Sequence, residues 1–556
     1  MSNYLRCSII IAAGCLLFFP MLGHVHLFDW DEINFAECAR EMIVSKDYLR
    51  AQIDFMPFWE KPPLFIWMQV LAMKAFGIGA YAARFPNALI GVTTLTTLYY
   101  LGKRVMNEKM ASWWVLLYAA TWLPHFYFKS GIIDPTFNFF IFLSFFQVHL
   151  IGFANRKQLH AILAGLFLGM AVLTKGPVAI LVALLAFVVY VIVNRGANYL
   201  KGVYLLLISL FALLPIISWL GVAVAHYGAD YGGWFLKQFL TYQVRLFSTE
   251  DADHGGPFVY HFIVLLLGCF PASVFLFQYG RKRISHNAHT HDFTRWMWIL
   301  FWVVLILFSI VKTKIVHYSS LCYFPLTYLA AMQLYHLGND SVKLKKVTRA
   351  LLLTIGSLLA IVIVCLPIVG LNKDKLIPYI NDPFAVSNLH ANVPWSYAEC
   401  LWGIVYLPGI WLAAALMRTD FRKGMLVLCV LQVVIIQVTV LHFTPKIEAY
   451  SQRAAINYFK SVAGKNVYVQ PLGYKSYANL FYTQKTAATD SNYYTYKQDD
   501  KRMEKVPIAN EAWLISGKTD RPVYFISKVQ DSAKYATFPE LMVTGSSNGF
   551  VFYKKK

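Results

Sequence analysis

Between Asp29 and Leu64 the chain carries Asp31-Glu32, Glu37, Arg40-Glu41 and Glu60-Lys61-Pro62-Pro63, and this charge lies between two strongly apolar regions. Carboxylates and ammonium groups are costly to keep from water, so beside a bilayer they line a wet cavity and handle a polar substrate. The segment reads as the active-site loop of a membrane enzyme. Pro62 and Pro63 stiffen the chain and bias Lys61 to an extended conformation, which points its ammonium away from the helix that follows and suits it to a phosphate. A lysine snorkelling to lipid headgroups would look the same in sequence. Asp31 or Glu32 could equally cap a helix in which Phe35, Ala39 and Met42 share one face, an amphipathic helix lying along the membrane surface.

Further charges recur beside the ends of apolar runs: Lys129 and Asp134, then Lys175-Gly176-Pro177, then Lys312, Lys314, His317 and Tyr318. Each alone is an ordinary interface anchor. Together they suit an outward-facing polar cavity. A longer polar stretch holds Tyr242-Gln243-Val244-Arg245-Leu246-Phe247, where a guanidinium between aromatics can grip phosphate oxygens in pairs. Asp251, Asp253 and His254 follow, and their spacing matches no strong divalent-metal motif.

The elements that must position these groups are membrane helices. Of 556 residues, 58% are hydrophobic and 14% charged, which places the chain outside the range of soluble domains. The net charge of +21 does not form one basic face or arm but sits at the ends of apolar runs, which points to membrane topology and anionic lipid and away from nucleic acid. Eight cysteines without a CxxC pair, most of them inside or beside apolar runs, argue against a disulfide framework or a zinc cluster.

A spanning helix needs about 20 apolar residues. Suitable runs lie near 7–27, 82–102, 110–128, 135–154, 158–174, 177–194, 200–226, 258–279, 296–311, 318–336, 348–371, 397–417 and 424–443, about thirteen in all. The first reads as a retained helix, since no small-residue cleavage site follows it. Leu64 to Phe76 is short and interrupted by Lys74, and reads as a helix lying at the interface. With it excluded, the Lys- and Arg-rich loops all fall on the N-terminal side, so the positive-inside rule puts the N-terminus in the cytoplasm and loops 28–81, 129–134, 227–257, 312–317 and 372–396 outside. Beyond 443 the composition turns polar with short β-rich runs at 466–470, 522–528 and 549–553, which reads as a small outer α/β domain, 444–556, following a transmembrane part, 1–443.

Asp31-Glu32 with Ala36-Glu37 and Ala39-Arg40, Glu60-Lys61-Pro62-Pro63-Leu64 with Trp67, and Arg84-Phe85-Pro86 with Ala88 and Gly91 resemble the bacterial aminoarabinose transferases and related polyprenyl-phosphate-dependent glycosyltransferases, kin of the protein mannosyltransferases. Asp134 after Lys129, Lys175-Gly176 after Leu173, Gln243 to Phe247 with His254 and Pro257-Phe258, and Lys314 with His317-Tyr318 extend the match in order along the first three fifths of the chain. The resemblance implies a GT-C fold of about thirteen membrane helices with interfacial helices in the first outer loop and a C-terminal outer domain. It implies that Asp31 is the catalytic carboxylate and that Lys61, Arg245 and Tyr318 hold the donor phosphate, with Glu32, Glu60 and Asp134 supporting them or facing the acceptor. Two departures are Lys129, where relatives place Arg, and the Lys-Ile-Val-His-Tyr form of residues 314–318.

The activity so implied is inverting transfer of a sugar, such as 4-amino-4-deoxy-arabinose, from a polyprenyl-phosphate carrier to lipid A or another envelope acceptor, at the periplasmic face of a bacterial inner membrane. No cofactor is called for beyond a possible divalent metal, with Glu60 and His254 the weak candidates. A monomer is expected, and no nucleic acid. Protein O-mannosyl transfer, or transfer to another surface glycan, is the neighbouring alternative. A lipid or glycan transporter is the alternative of a different class, weakened because the chain shows no paired half-repeats.

Overall fold

In lipid every backbone N–H and C=O must be satisfied within its own segment, so long apolar runs fold as helices. The computed structural model describes residues 2–58, 60–196, 199–245, 255–279, 287–339, 343–499 and 504–556. Helix enters each of the thirteen apolar segments. By length and apolarity seven of the described helices can cross a bilayer: Asp134–Phe153, Lys157–Lys175, Gly202–Tyr227, Ala288–Ile310, Lys346–Leu371, Tyr397–Thr419 and Phe421–Glu448. Tyr260–Gly268 with Ala272–Gln278 makes an eighth if counted as one span, although the two are bent by 104°.

The expected count of about thirteen is not reached on those criteria, for identifiable reasons. The bend falls at Pro271, which has no N–H with which to continue a helix. Asn3–Phe18 and Val178–Val193 hold 16 residues each. Ala80–Val105 is long enough, but Pro86, Asn87 and four threonines lower its apolarity. Glu108–Ala119 stops before Thr121 and restarts as Trp122–Tyr127, and Tyr323–Asn339 is entered through a tighter 3-10 stretch, Val316–Cys322.

Small residues set how closely the helices approach. Gly165 and Gly169 lie one turn apart on Lys157–Lys175, and a Cβ at either would come within 2.5 Å of a backbone carbonyl on Gly202–Tyr227, that of Ile208 or Ala212. This backbone-to-backbone contact is the small-xxx-small packing of membrane helices.

Leu64–Phe76 is a separate helix of 13 residues, packed between Asp31–Ser45 and Ala80–Val105. Asp31–Ser45 departs from the sequence expectation of a surface helix, because every residue from Glu32 to Met42 is buried. Leu64–Phe76 covers one side of it and the C-terminal region another, so even its charged face is enclosed. There Arg40 donates to both carboxylate oxygens of Glu37 at 2.7 and 2.6 Å. Burial, reinforced by Glu37, pushes the Glu41 carboxyl well above its usual range.

The last long helix runs on through Glu448, past the boundary expected at 443. Beyond it a four-stranded sheet forms in the order Tyr468–Leu472, Val523–Lys528, Phe550–Lys555, Leu541–Ser547, parallel for the first pair and antiparallel for the others. All three β-rich runs read from the sequence are strands, and Leu541–Ser547 joins them. One face of this region packs its own core around Tyr468, Leu514, Phe525 and Tyr553. The other shares a core with the first loop, in which Leu27, Ile33, Ala36 and Ile66 meet Ile456, Phe459, Leu480 and Ile526. The Leu27 N–H donates to the Tyr482 hydroxyl at 2.7 Å, and the Gln452 amide donates to the Leu27 carbonyl, also at 2.7 Å.

Candidate active site

Asp31 and Asn34 lie one turn apart at the start of Asp31–Ser45, Glu60 and Lys61 immediately precede Leu64–Phe76, Asp134 and Asn138 begin Asp134–Phe153, and Lys175 ends Lys157–Lys175. These ends converge with residues 313–318 on one cavity of about 580 Å³. The C-terminal region closes it with Lys475 and Tyr477. A cavity of this size fits a sugar phosphate, and its walls are polar near the first loop and apolar around Phe137, Val182 and Phe308.

The charges inside are unevenly matched. Lys175 Nζ lies 2.5 Å from Asp134 Oδ1, and both side chains are largely enclosed. His317 Nε2 stands between the two carboxylates, 3.5 Å from Asp31 and 3.8 Å from Asp134. Burial holds its imidazole below the usual value against the pull of Asp134, so the ring is neutral near pH 7. Tyr318 packs against Phe308, with the Lys175 ammonium 5.2 Å from its ring. Lys314 reaches the cavity wall but is committed elsewhere: its ammonium donates to the carbonyls of Phe308, Ser309 and Val311 and so caps Ala288–Ile310. Asp31 is the open carboxylate, its side chain 41% exposed against 4% for Asp134. Lys61 lines the cavity with no carboxylate within ion-pair distance among the described residues, and it acts on Asp134 and His317 only through space.

Asp31, Lys61, Glu60, Asp134 and Tyr318 are thus brought together on one cavity. Glu32 is not. Its side chain points away from the cavity into a buried pair with Arg84, at 2.9 and 2.7 Å, and accepts from the N–H groups of Phe28 and Gly131. Burial opposes its ionisation, but Arg84 and the two N–H groups outweigh it and hold the carboxyl below the usual range. Glu32 is an internal tie and does not face an acceptor. Lys129 likewise donates to the carbonyls of Leu17 and Pro20, capping the first helix, and burial pushes its pKa down to about 8. Arg245 is the last residue of Ala229–Arg245, and its side chain, with His254, lies outside the described part of the chain. Among the described residues no group of three or more His, Cys, Asp or Glu side chains is placed to hold a metal ion.

The family described as dolichyl-phosphate-mannose-protein mannosyltransferase matches residues 60–220. An Edwardsiella ictaluri protein named undecaprenyl phosphate-alpha-4-amino-4-deoxy-L-arabinose arabinosyl transferase is 28% identical over 436 residues, 73% of this chain and 76% of that protein. One of the same name from Pseudomonas aeruginosa is 28% identical over 347 residues, so the match spans 61% of this chain and 62% of that relative's length. The crystal structure of ArnT from Cupriavidus metallidurans bound to undecaprenyl phosphate superimposes with a TM-score of 0.76 at 18% identity, covering 100% of this chain and 98% of that one. The chain is a glycosyltransferase with the GT-C fold.

In this glycosyltransferase several lining residues carried no strong signal in sequence. Asn34 was accessible to spacing, being three residues beyond Asp31 on a helix. Asn138 stands in the same relation to Asp134, one turn on, and donates to Ser320 Oγ at 2.8 Å. Lys475 and Tyr477 belong to a region with no motif. Only the fold brings the Lys475 ammonium 4.8 Å from the Trp30 ring and Tyr477 5.2 Å from the same indole, while Ser476 Oγ donates to Asp29 at 2.6 Å.

Proposed function

We propose that this glycosyltransferase moves 4-amino-4-deoxy-arabinose from undecaprenyl phosphate to lipid A, or to a related envelope acceptor, at the outer face of a bacterial inner membrane and with inversion at the anomeric carbon. The observation that carries the reading is that Lys61, with no carboxylate at ion-pair distance among the described residues, and the partly exposed Asp31 line a single cavity. The printed names of the relatives supply the donor and the sugar. The bond from the anomeric carbon to the carrier phosphate oxygen breaks, the phosphate keeps the electron pair, and the acceptor oxygen forms the new bond from the opposite face. Lys61 meets the charge that grows on the leaving phosphate, a contact strongest in the transition state. Arg245 is the proposed second phosphate ligand and Tyr318 a third. Asp134, neutralised by Lys175, holds the His317 end of the cavity in place. If the acceptor is a hydroxyl, Asp31 takes its proton; if it is an ionised phosphate, Asp31 orients it.

In this reading the transmembrane part is 1–443, loop 28–81 faces the periplasm with Leu64–Phe76 at the interface, and 444–556 covers it from outside. The match of residues 60–220 to the mannosyltransferase family favours a second reading, a mannosyl donor with a protein hydroxyl as acceptor. Purified Asp31→Asn and Lys61→Ala, each assayed with undecaprenyl-phosphate aminoarabinose and lipid A, should turn over at least about 100-fold more slowly than wild type. Wild-type turnover in both variants overturns the site. Mass spectrometry of lipid A from cells with and without the gene separates the acceptors, and an unchanged lipid A turns the choice to the second reading.

A further inference from the structure

Lys61, Lys175, Lys314 and Lys475 all line the cavity. Lys175 answers Asp134, and Lys314 answers three carbonyls. Lys61 and Lys475 come from distant parts of the chain, and their surroundings differ. Lys61 is felt through space at Asp134 and His317. Lys475 is felt at Asp29, and its ammonium lies 4.8 Å from the ring of Trp30, the residue before Asp31. The loop that carries it joins the strand Tyr468–Leu472 to the helix Ala478–Thr483 and is held through Asp29, which accepts from Ser476 Oγ at 2.6 Å and from the Tyr477 N–H. Ser476 Oγ in turn accepts from the Ala478 N–H at 3.1 Å. The Lys475 side chain is exposed, so a ligand in the cavity can reach it.

We propose that Lys475, carried by the C-terminal region, binds a phosphate of the acceptor beside Asp31 and so selects for anionic acceptors; this rests on the glycosyl-transfer reading above. An acceptor phosphate brought to Asp31 meets a partly exposed carboxylate of its own sign, and like charges side by side repel unless a cation offsets them. Lys475 is a cation on the same cavity, next to the residue that precedes Asp31. An ammonium only donates and carries a full charge, which favours a phosphate over a neutral hydroxyl. The donor phosphate is the other anion that enters. Surroundings divide the two, with Lys61 near Asp134 and His317 for the donor and Lys475 beside Trp30 for the acceptor.

The test compares wild type with Lys475→Gln, which keeps a hydrogen-bond donor without the charge, and Lys475→Arg, which keeps the charge. With undecaprenyl-phosphate aminoarabinose and lipid A as substrates, Lys475→Gln should raise KM for lipid A about 10-fold or more, and Lys475→Arg should stay within about 3-fold of wild type. Added NaCl should raise that KM more steeply in wild type than in Lys475→Gln. KM for the donor and direct binding of undecaprenyl phosphate should be unchanged in both variants, whereas Lys61→Ala should weaken that binding. Lys475→Gln should unfold in detergent at the wild-type temperature, since Asp29 holds the loop without the ammonium. An unchanged KM for lipid A in Lys475→Gln overturns the assignment and leaves the transfer reading standing. Weaker binding of undecaprenyl phosphate by Lys475→Gln also overturns it and puts Lys475 on the donor. Equal rises in KM for both substrates with a lowered unfolding temperature overturn it in favour of a structural tie. No transfer by wild type from this donor to lipid A overturns the transfer reading and this inference with it.

Discussion

Four lysines beside the ends of apolar runs, Lys61, Lys129, Lys175 and Lys314, look alike in sequence and differ in what their ammonium groups meet. Lys129 and Lys314 close helix ends, Lys175 neutralises Asp134, and Lys61 faces the cavity without a carboxylate partner among the described residues. The prediction is a clean division of effects. Lys314→Met should lower the unfolding temperature in detergent, because three carbonyls lose their donor, whereas Lys61→Ala should leave it unchanged and abolish turnover. Lys175→Ala strands a buried carboxylate and should cost about 3 kcal/mol of stability. The double variant Lys175→Met with Asp134→Asn should lose less than Lys175→Ala alone, and a larger loss would mean the pair does more than cancel charge. Sequence reasoning found Lys61 because the following prolines restrict it. It could not separate the other three, since neither carbonyl partners nor a carboxylate 41 positions away leaves a mark in local spacing.

Among the elements, Asp31–Ser45 was legible as a helix, with Asp31 in its first turn, but not as an enclosed one. Its charges suggested a wet surface. Glu32, Glu37 and Arg40 instead find partners, and burial pushes the Glu41 carboxyl well above its usual range, which disfavours its charge there. The Glu32–Arg84 tie gives a pH signature. The folded-state pKa of Glu32 lies below its unfolded value, so the stability it contributes is present above that unfolded value, near pH 4, and is lost as pH falls through the folded one. The difference in unfolding temperature between wild type and Glu32→Gln should therefore be full at pH 7 and shrink below about pH 4. A second element-scale prediction concerns helix contact. Gly165→Leu must push Lys157–Lys175 away from the Ile208 carbonyl and should cost about 1–3 kcal/mol, while Gly202→Ala, whose added carbon meets nothing within 4 Å, should be nearly neutral in the same thermal assay.

For the whole molecule, composition and the ends of apolar runs were enough to indicate a multi-pass helical protein, because a bilayer imposes length and end charge on every span. The thirteen segments were visible, but the breaks at Thr121 and Pro271 and the short first helix were not, since mean apolarity hides local chain direction. The sequence also gave no sign that the C-terminal region completes the site. Its shared core with the first loop joins residues as far apart as Leu27 and Tyr482, 455 positions distant. Phe459→Ala in that core should cost about 3–5 kcal/mol and, in limited proteolysis, open cleavage sites in 28–81 and in the C-terminal region together. Cleavage confined to the C-terminal region would show that the two do not depend on each other.

That shared core also sets a timetable. The first loop is among the earliest parts of the chain to leave the ribosome, yet Ile33 and Ala36 cannot reach their final packing until Ile456, Phe459 and Leu480 have been made. Contacts of such long sequence separation form late and slowly, so the loop that carries Asp31 and Lys61 waits, with apolar surface uncovered, through the insertion of the helices between. A chain that stops anywhere before the last strand would hold its membrane helices and still have an unfinished roof.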